Sequence, residues 1–141
     1  MRLLDTNIIS AAMAADAVIM AELSRIEPGQ AAISSVTYAE IRYGLGKLSA
    51  RSESHRAIIQ RKCDLFDRLM EHIEVLAWDR DAASAYADER IACEADGQIL
   101  DQADLMILAH AGSTGRVLVT RDAALQRRDR KGPFKTRVMG W

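Results

Sequence analysis

Short apolar runs, each three to five residues long and none alternating with polar residues, recur along this chain with helical stretches between them. That rhythm limits the fold more than any other feature. Arg2-Leu3-Leu4 is the first run and stops at Asp5. Gln30 to Ser34, Ile73 to Leu76 and Val117-Leu118-Val119 follow, and Arg137-Val138-Met139 makes a possible fifth. Runs without alternation suit central parallel strands covered on both faces.

The intervening stretches carry helical periodicity. Tyr38, Ile41, Leu45 and Leu48 form one apolar stripe between Val36 and Leu48, and Ile59, Cys63, Phe66 and Met70 form another between His55 and Glu71. Ala82 to Ala95 is rich in helix formers and closes at Gly97, with Asp79 and Asp81 as its cap. Asp104 to Ala111 is the most apolar helix and is expected to stop at Gly112. A short helix is expected after Asp122, and Pro28 and Pro133 fall in loops beside glycines. Strands alternating with helices predict an α/β fold: a three-layer α/β/α sandwich around a parallel sheet of four to five strands. Ligands in such sheets bind beyond the carboxyl ends of the strands.

At 141 residues the chain is one domain, 1–141, with no internal repeat. The apolar run from Ile8 to Met20 is interrupted by Asp16 and is too short to span a bilayer. The start carries no leader-like apolar segment, so a cytoplasmic location is expected. Cys63 and Cys93 form neither a Cys-x-x-Cys motif nor a disulfide framework. The net charge is −1, which excludes a bulk polycation. Yet from Arg116 to Trp141 eight basic residues face only Asp122 and Asp129, a contrast that fits a solvated surface in part and a polyanion contact in full.

Four acids stand at the positions where chemistry is expected. Asp5 and Asp122 follow strands, while Glu40 and Asp104 lie near helix starts that can face the same edge. Each also has a structural explanation. Asp5 and Asp122 can cap helices, Glu40 fits a capping box, and Asp104 is a first-turn acid behind a cap at Asp101. Together they are harder to dismiss. Two carboxylates about 4 Å apart repel by roughly 4 kcal/mol at an effective dielectric of about 20. A hard divalent ion such as Mg²⁺, which takes oxygen ligands and keeps several waters, relieves that repulsion and suits phosphate-ester chemistry.

These residues resemble a PIN domain, in particular the VapC toxins of bacterial toxin–antitoxin pairs. The likeness lies in Leu3-Leu4-Asp5-Thr6-Asn7-Ile8-Ile9-Ser10, in Ser34-Ser35-Val36-Thr37-Tyr38-Ala39-Glu40-Ile41-Arg42-Tyr43-Gly44, in Ala103 to Ala111 and in Val117 to Asp122. The resemblance implies an endoribonuclease that uses Mg²⁺ or Mn²⁺, with Asp5, Glu40, Asp104 and Asp122 as metal-binding acids. Thr6, Asn7 and Thr120 would orient those acids or the water. It implies hydrolysis by metal-activated water, inhibition of translation, an RNA substrate, a VapB-like antitoxin that binds DNA, and a homodimer. The helices between Val36 and Met70 would be contact surfaces. Leu108 and Leu125 replace an Ala and a Phe common in relatives.

Arg42, Arg121, Arg127 and Arg128 are candidate phosphate contacts, and Asp101 a candidate accessory acid. His55, His72 and His110 are scattered over three segments, which argues against a paired-histidine ribonuclease. His110 on the apolar helix reads as an interior residue. A haloacid-dehalogenase phosphatase needs a second acid where Asn7 stands, and a receiver domain needs paired acids after strand one and a late lysine. The competing reading is a non-catalytic PIN-like module that binds nucleic acid beside a DNA-binding partner.

Overall fold

The computed structural model describes residues 1–51 and 56–141. In chain order the elements are β1 (Arg2–Leu4), α1 (Thr6–Met13), α2 (Ala17–Leu23), β2 (Ala31–Ser34), α3 (Ser35–Arg51) and α4 (Arg56–Met70). They continue with β3 (Glu74–Leu76), α5 (Arg80–Ala95), α6 (Gln102–Ser113), β4 (Val117–Val119), α7 (Ala123–Gln126) and β5 (Val138–Met139). The expected helix start at His55 lies outside the described residues.

All strand pairs are parallel, in the order β3-β2-β1-β4-β5, so the possible fifth strand is present. Register separates the two faces. Leu3 lies opposite both Ala32 and Leu118, and Leu118 opposite Val138. These side chains pack with Ile107, Leu108 and Ala111 of α6 and Leu125 of α7. Leu4, Ile33 and Val119, one residue further on, face Ile8, Ile9, Ile19, Ile41, Leu45 and Phe66 from α1 to α4. The two layers of helices therefore enclose the sheet. Burying each such large side chain stabilises by roughly 1.5–3 kcal/mol. A one-residue slip would turn each strand's inward set to the opposite layer, so the register is firmly specified.

The structure departs from expectation in four places. The run from Ile8 to Met20 forms two helices, α1 and α2, bent by 109°. Asp16 makes the break, accepting hydrogen bonds from Val18 N at 3.0 Å and Ile19 N at 3.2 Å to start α2. Among the described residues no single helix is long and apolar enough to cross a membrane. Leu48 is 46% exposed and not core: α3 has 17 residues against four in β2, about 25 Å against about 13 Å, so its last turns overshoot the sheet. Strand β3 lies at the sheet's edge with Glu74 and Val75 exposed, so it is not covered on both faces. Finally, α6 runs through Gly112 to Ser113. A Cβ on Gly112 would lie 2.9 Å from Phe134 Cβ, so this glycine permits the segment before β5 to cross the helix rather than ending it.

Candidate active site

After β1 the chain moves to β2 and β3 on one side, then returns to place β4 on the other. The direction of winding therefore reverses between β1 and β4, and the crevice beyond their carboxyl ends is where such sheets bind ligands. Asp5 and Thr120 immediately follow those strands.

Asp5 is 1% exposed. Its Oδ1 accepts from Thr6 N at 2.7 Å, and its Oδ2 accepts from Thr120 Oγ1 at 2.6 Å and Asn7 Nδ2 at 2.7 Å. Asn7 Oδ1 accepts in turn from Arg121 N at 3.0 Å, and Thr120 Oγ1 accepts from Asp122 N at 2.9 Å. A single network therefore fixes the turns after β1 and β4 to one another. Burial raises the Asp5 pKa above the ordinary carboxylate range. The bonds from Thr120 and Thr6 oppose that rise, and the charges of Glu40 and Asp122 add to it.

Glu40 lies on the second turn of α3, too far along for a capping box. Ser34 Oγ takes the capping position, accepting from Val36 N at 3.1 Å. The Glu40 carboxylate instead accepts a 2.5 Å bond from Thr6 Oγ1. Asp122 does cap α7, with Ala124 N at 2.6 Å and Leu125 N at 2.9 Å both donating to Oδ1. Asp101 caps α6 through Ala103 N, which sets Asp104 in its first turn. The capping and site readings thus coincide at Asp5 and Asp122.

Asp104 registers how closely the acids gather. Its pKa is pushed up to about 6, first by burial, then by the charges of Asp5, Asp122, Asp101 and Glu40. Carboxyls from the turns after β1 and β4 and from α3 and α6 therefore share one negative field. Among the described residues no three Asp, Glu, His or Cys side chains already stand close enough to hold a metal ion. All four candidate donors are carboxylates. That donor set suits a hard cation that retains part of its water shell.

The family assignment agrees with this arrangement: residues 2–131 match the PIN domain family. The chain belongs to that family. Across 128 residues this PIN domain is 30% identical to a VapC ribonuclease of Sinorhizobium fredii, covering 88% of this chain and 89% of the relative. It is 31% identical over 120 residues to the tRNA(fMet)-specific endonuclease VapC of Shigella flexneri, covering 85% of each. The DNA-bound VapBC structure from Salmonella typhimurium superposes with a TM-score of 0.80 at 26% identity, over 99% of this chain and 97% of that one.

The basic candidates of this PIN domain separate into three groups. Arg42 and Arg127 are exposed. Arg121 donates to Asp16 Oδ2 at 2.8 Å and to the Trp141 carbonyl at 3.3 Å, holding Asp16 down at about 2. Arg128 is not a surface phosphate contact: it is 1% exposed and donates to Glu89 at 3.2 Å and Asp96 at 2.5 Å. Its neighbour Leu125 enters the core, and the turn after α7 carries Arg128 inward with it. His110 is interior, as expected. Ser34 Oγ accepts from Val36 N and lies 2.9 Å from His110 Nδ1, so the serine proton is available to that ring nitrogen. Trp78 packs edge-on against the ring.

Sequence reading did not find the groove of about 450 Å³ that starts at Thr6 and Glu40 and extends past Met13, Ile41 and Leu45 to Lys47 and Lys62. Leu48, misread as core, lines it. An apolar position at the stripe's far end was the available signal.

Proposed function

We propose that this PIN domain is a metal-dependent endoribonuclease, the toxin half of a toxin–antitoxin pair, with Mg²⁺ or Mn²⁺ held by Asp5, Glu40, Asp104 and Asp122. The observation that carries the reading is the gathering of Asp5, Glu40, Asp104 and Asp122 around the turns after β1 and β4, near enough that their charges join burial in pushing the Asp104 carboxyl up to about 6. A site that concentrates negative charge at the sheet's switch point is costly as a structural device and useful as a cation site. A bound divalent ion would supply charge neutralisation at the scissile phosphate and a lowered pKa for attacking water. The chain's own groups have separable roles. Thr120, Asn7 and the Thr6 amide hold the Asp5 carboxylate in one orientation, and Thr6 Oγ1 does the same for Glu40. The α7 cap restrains Asp122. Asp104, with its carboxyl pushed up to about 6, takes up a proton as pH falls below that value, which makes cation binding weaken in acid.

The S. fredii and S. flexneri relatives are named as a ribonuclease and an endonuclease, which supports RNA as the substrate. The VapBC likeness supports a VapB-like antitoxin, and the groove beside Thr6 and Glu40 is the surface on which it would cover the acids.

Incubation of the purified protein with total RNA, with Mg²⁺ or with EDTA, tests the activity. Cleavage only with the metal is expected, and intact RNA in both tubes would overturn the enzyme reading in favour of a non-catalytic nucleic-acid-binding module. Mapping the cut ends should show 5′-phosphates. Asp5→Ala and Asp104→Ala should abolish growth inhibition on expression, and toxicity retained by both folded variants would displace the site. Co-purification with the product of an adjacent short gene tests the partner.

A further inference from the structure

A nuclease whose reactive site concentrates carboxylates, in a chain of net charge −1, must hold a polyanion against local repulsion. Some other surface has to supply the attraction. The segment from Arg127 to Arg137 has the necessary composition: six basic residues and one acid, Asp129. Arg128 is buried and paired, which leaves Arg127, Arg130, Lys131, Lys135 and Arg137 exposed. Among the described residues, no ion pair involves Arg127, Lys131, Lys135 or Arg137, and Arg130 meets only Asp129, at 4.0 Å.

The segment is also a built surface. Arg130, Lys131, Gly132 and Lys135 enclose, with Asp96 and Gln98, a cleft of about 470 Å³. Arg130 and Lys135 occupy left-handed backbone conformations, φ +53° and +50°, which side chains other than glycine adopt at a cost. Beneath them the Arg128–Glu89 pair fixes the segment to α5. Gly132, at φ +70°, lies so close that a Cβ there would come within 2.8 Å of Arg128 Nη2. Arg130 N donates to the Thr136 carbonyl at 2.8 Å, closing the loop on itself. Phe134, next to Lys135 in sequence, packs its Cβ side on Gly112 and remains 38% exposed.

We propose that residues 127–137 form a second RNA contact, separate from the acid cluster, that takes the phosphates of a single strand with its cations and stacks a base on Phe134. Cations alone would fit any polyanion. A partly exposed ring in the same segment favours nucleic acid, because every base offers a face for stacking. The segment begins five residues after Asp122, beside Gln98, whose amide donates to the Ala124 carbonyl at 2.8 Å, and ends at the amino end of the parallel strand β5. The contact would therefore hold RNA along a path leading away from the acids, leaving the chemistry to them. This inference rests on the nuclease reading for its choice of RNA.

The test is fluorescence anisotropy with a labelled single-stranded RNA 12-mer (a probe length of about 12 nucleotides suits one binding surface) in EDTA, alongside RNA cleavage with Mg²⁺. Lys131→Ala/Lys135→Ala should weaken binding and lower the slope of log K against log salt by about 1.4, roughly 0.7 for each lost phosphate contact. Phe134→Leu should weaken binding about fivefold or more while leaving the salt slope unchanged. Thermal melts establish that the variants are folded. Wild-type affinity and slope in both variants, with cleavage by the parent protein intact, would overturn the second contact and leave the nuclease reading standing. RNA binding that weakens as expected, in a parent protein that never cleaves, would keep the contact and remove the nuclease. Loss of binding in the double variant to poly-glutamate but not to RNA would overturn RNA as the ligand.

Discussion

Thr120 Oγ1 donates to Asp5 Oδ2 at 2.6 Å across 115 positions of sequence, joining the turns after the two central strands at the acid cluster. The same hydroxyl oxygen accepts from Asn7 Nδ2 at 3.0 Å and Asp122 N at 2.9 Å. Thr120→Val preserves shape and removes all three bonds. Asp5, already raised by burial, should then rise further, because one of the bonds that favours its charged form is gone. Outer partners of metal ligands typically contribute 10–100-fold to affinity or activity. RNA cleavage and the Mg²⁺ midpoint for cleavage should both worsen by about that factor, with a near-native circular dichroism spectrum. A variant as active as the parent would remove Thr120 from the orienting set.

Asp104 predicts an inverted stability profile. Its folded pKa of about 6 exceeds the unfolded value near 3.8, so the folded state binds more protons between those values. Its contribution to stability therefore falls as pH rises from about 4 to about 6 and stays low above. Asp104→Asn should raise the melting temperature of the metal-free protein at pH 7.5 and do little at pH 4, while abolishing cleavage. Mg²⁺ should stabilise the parent at pH 7.5 more than the variant. A destabilised Asp104→Asn protein at pH 7.5 would show that the carboxylate has a structural partner instead.

The central strands were legible because they are buried without alternation, so Leu3-Leu4, Ala32-Ile33 and Leu118-Val119 read as one kind of object. The acids were legible by position, since each follows a strand or lies within the first two turns of a helix. Their coupling was not, because Asp104 senses Asp5 only through the β1–β4 crevice that folding creates. Helices α1 and α2 were missed for a local reason: the run from Ile8 to Met20 is apolar on several sides, and only Asp16 marks the bend. Arg128 misled because charge in a basic stretch predicts exposure. Its acceptors, Glu89 and Asp96, lie 39 and 32 residues earlier, beyond any local pattern.

That buried pair yields a stability prediction. Arg128 and Glu89 are each 1% exposed, and burial raises the Glu89 pKa while the guanidinium opposes the rise. Removing one partner strands the other charge, at a cost of about 3–5 kcal/mol, whereas replacing both with apolar residues is often neutral. Arg128→Met should therefore lower the urea midpoint sharply, and Glu89→Leu/Arg128→Met should recover much of the loss. Additive losses in the double variant would show that the two side chains act independently.

His110 supplies a pH dependence of opposite sign to that of Asp104. Burial lowers its pKa below 6.5, Asp79 works against that shift, and Arg116 reinforces it. The unfolded chain therefore binds a proton before the folded one does. Stability from this group is complete above about 6.5 and declines as pH falls from there toward the depressed folded value. Below about pH 6, down to the depressed folded value of His110, the two profiles oppose each other and partly cancel, so the parent protein should show a flatter acid limb than either group alone would give. His110→Gln replaces the titrating ring with a neutral group that can still accept from Ser34. It should lower stability at neutral pH through lost packing on Trp78, and the remaining profile should fall more steeply with rising pH between 4 and 6. Urea unfolding of parent, Asp104→Asn and His110→Gln at several pH values separates the contributions. If His110→Gln leaves the slope of that limb unchanged, the imidazole does not titrate in this range and the buried-neutral assignment fails.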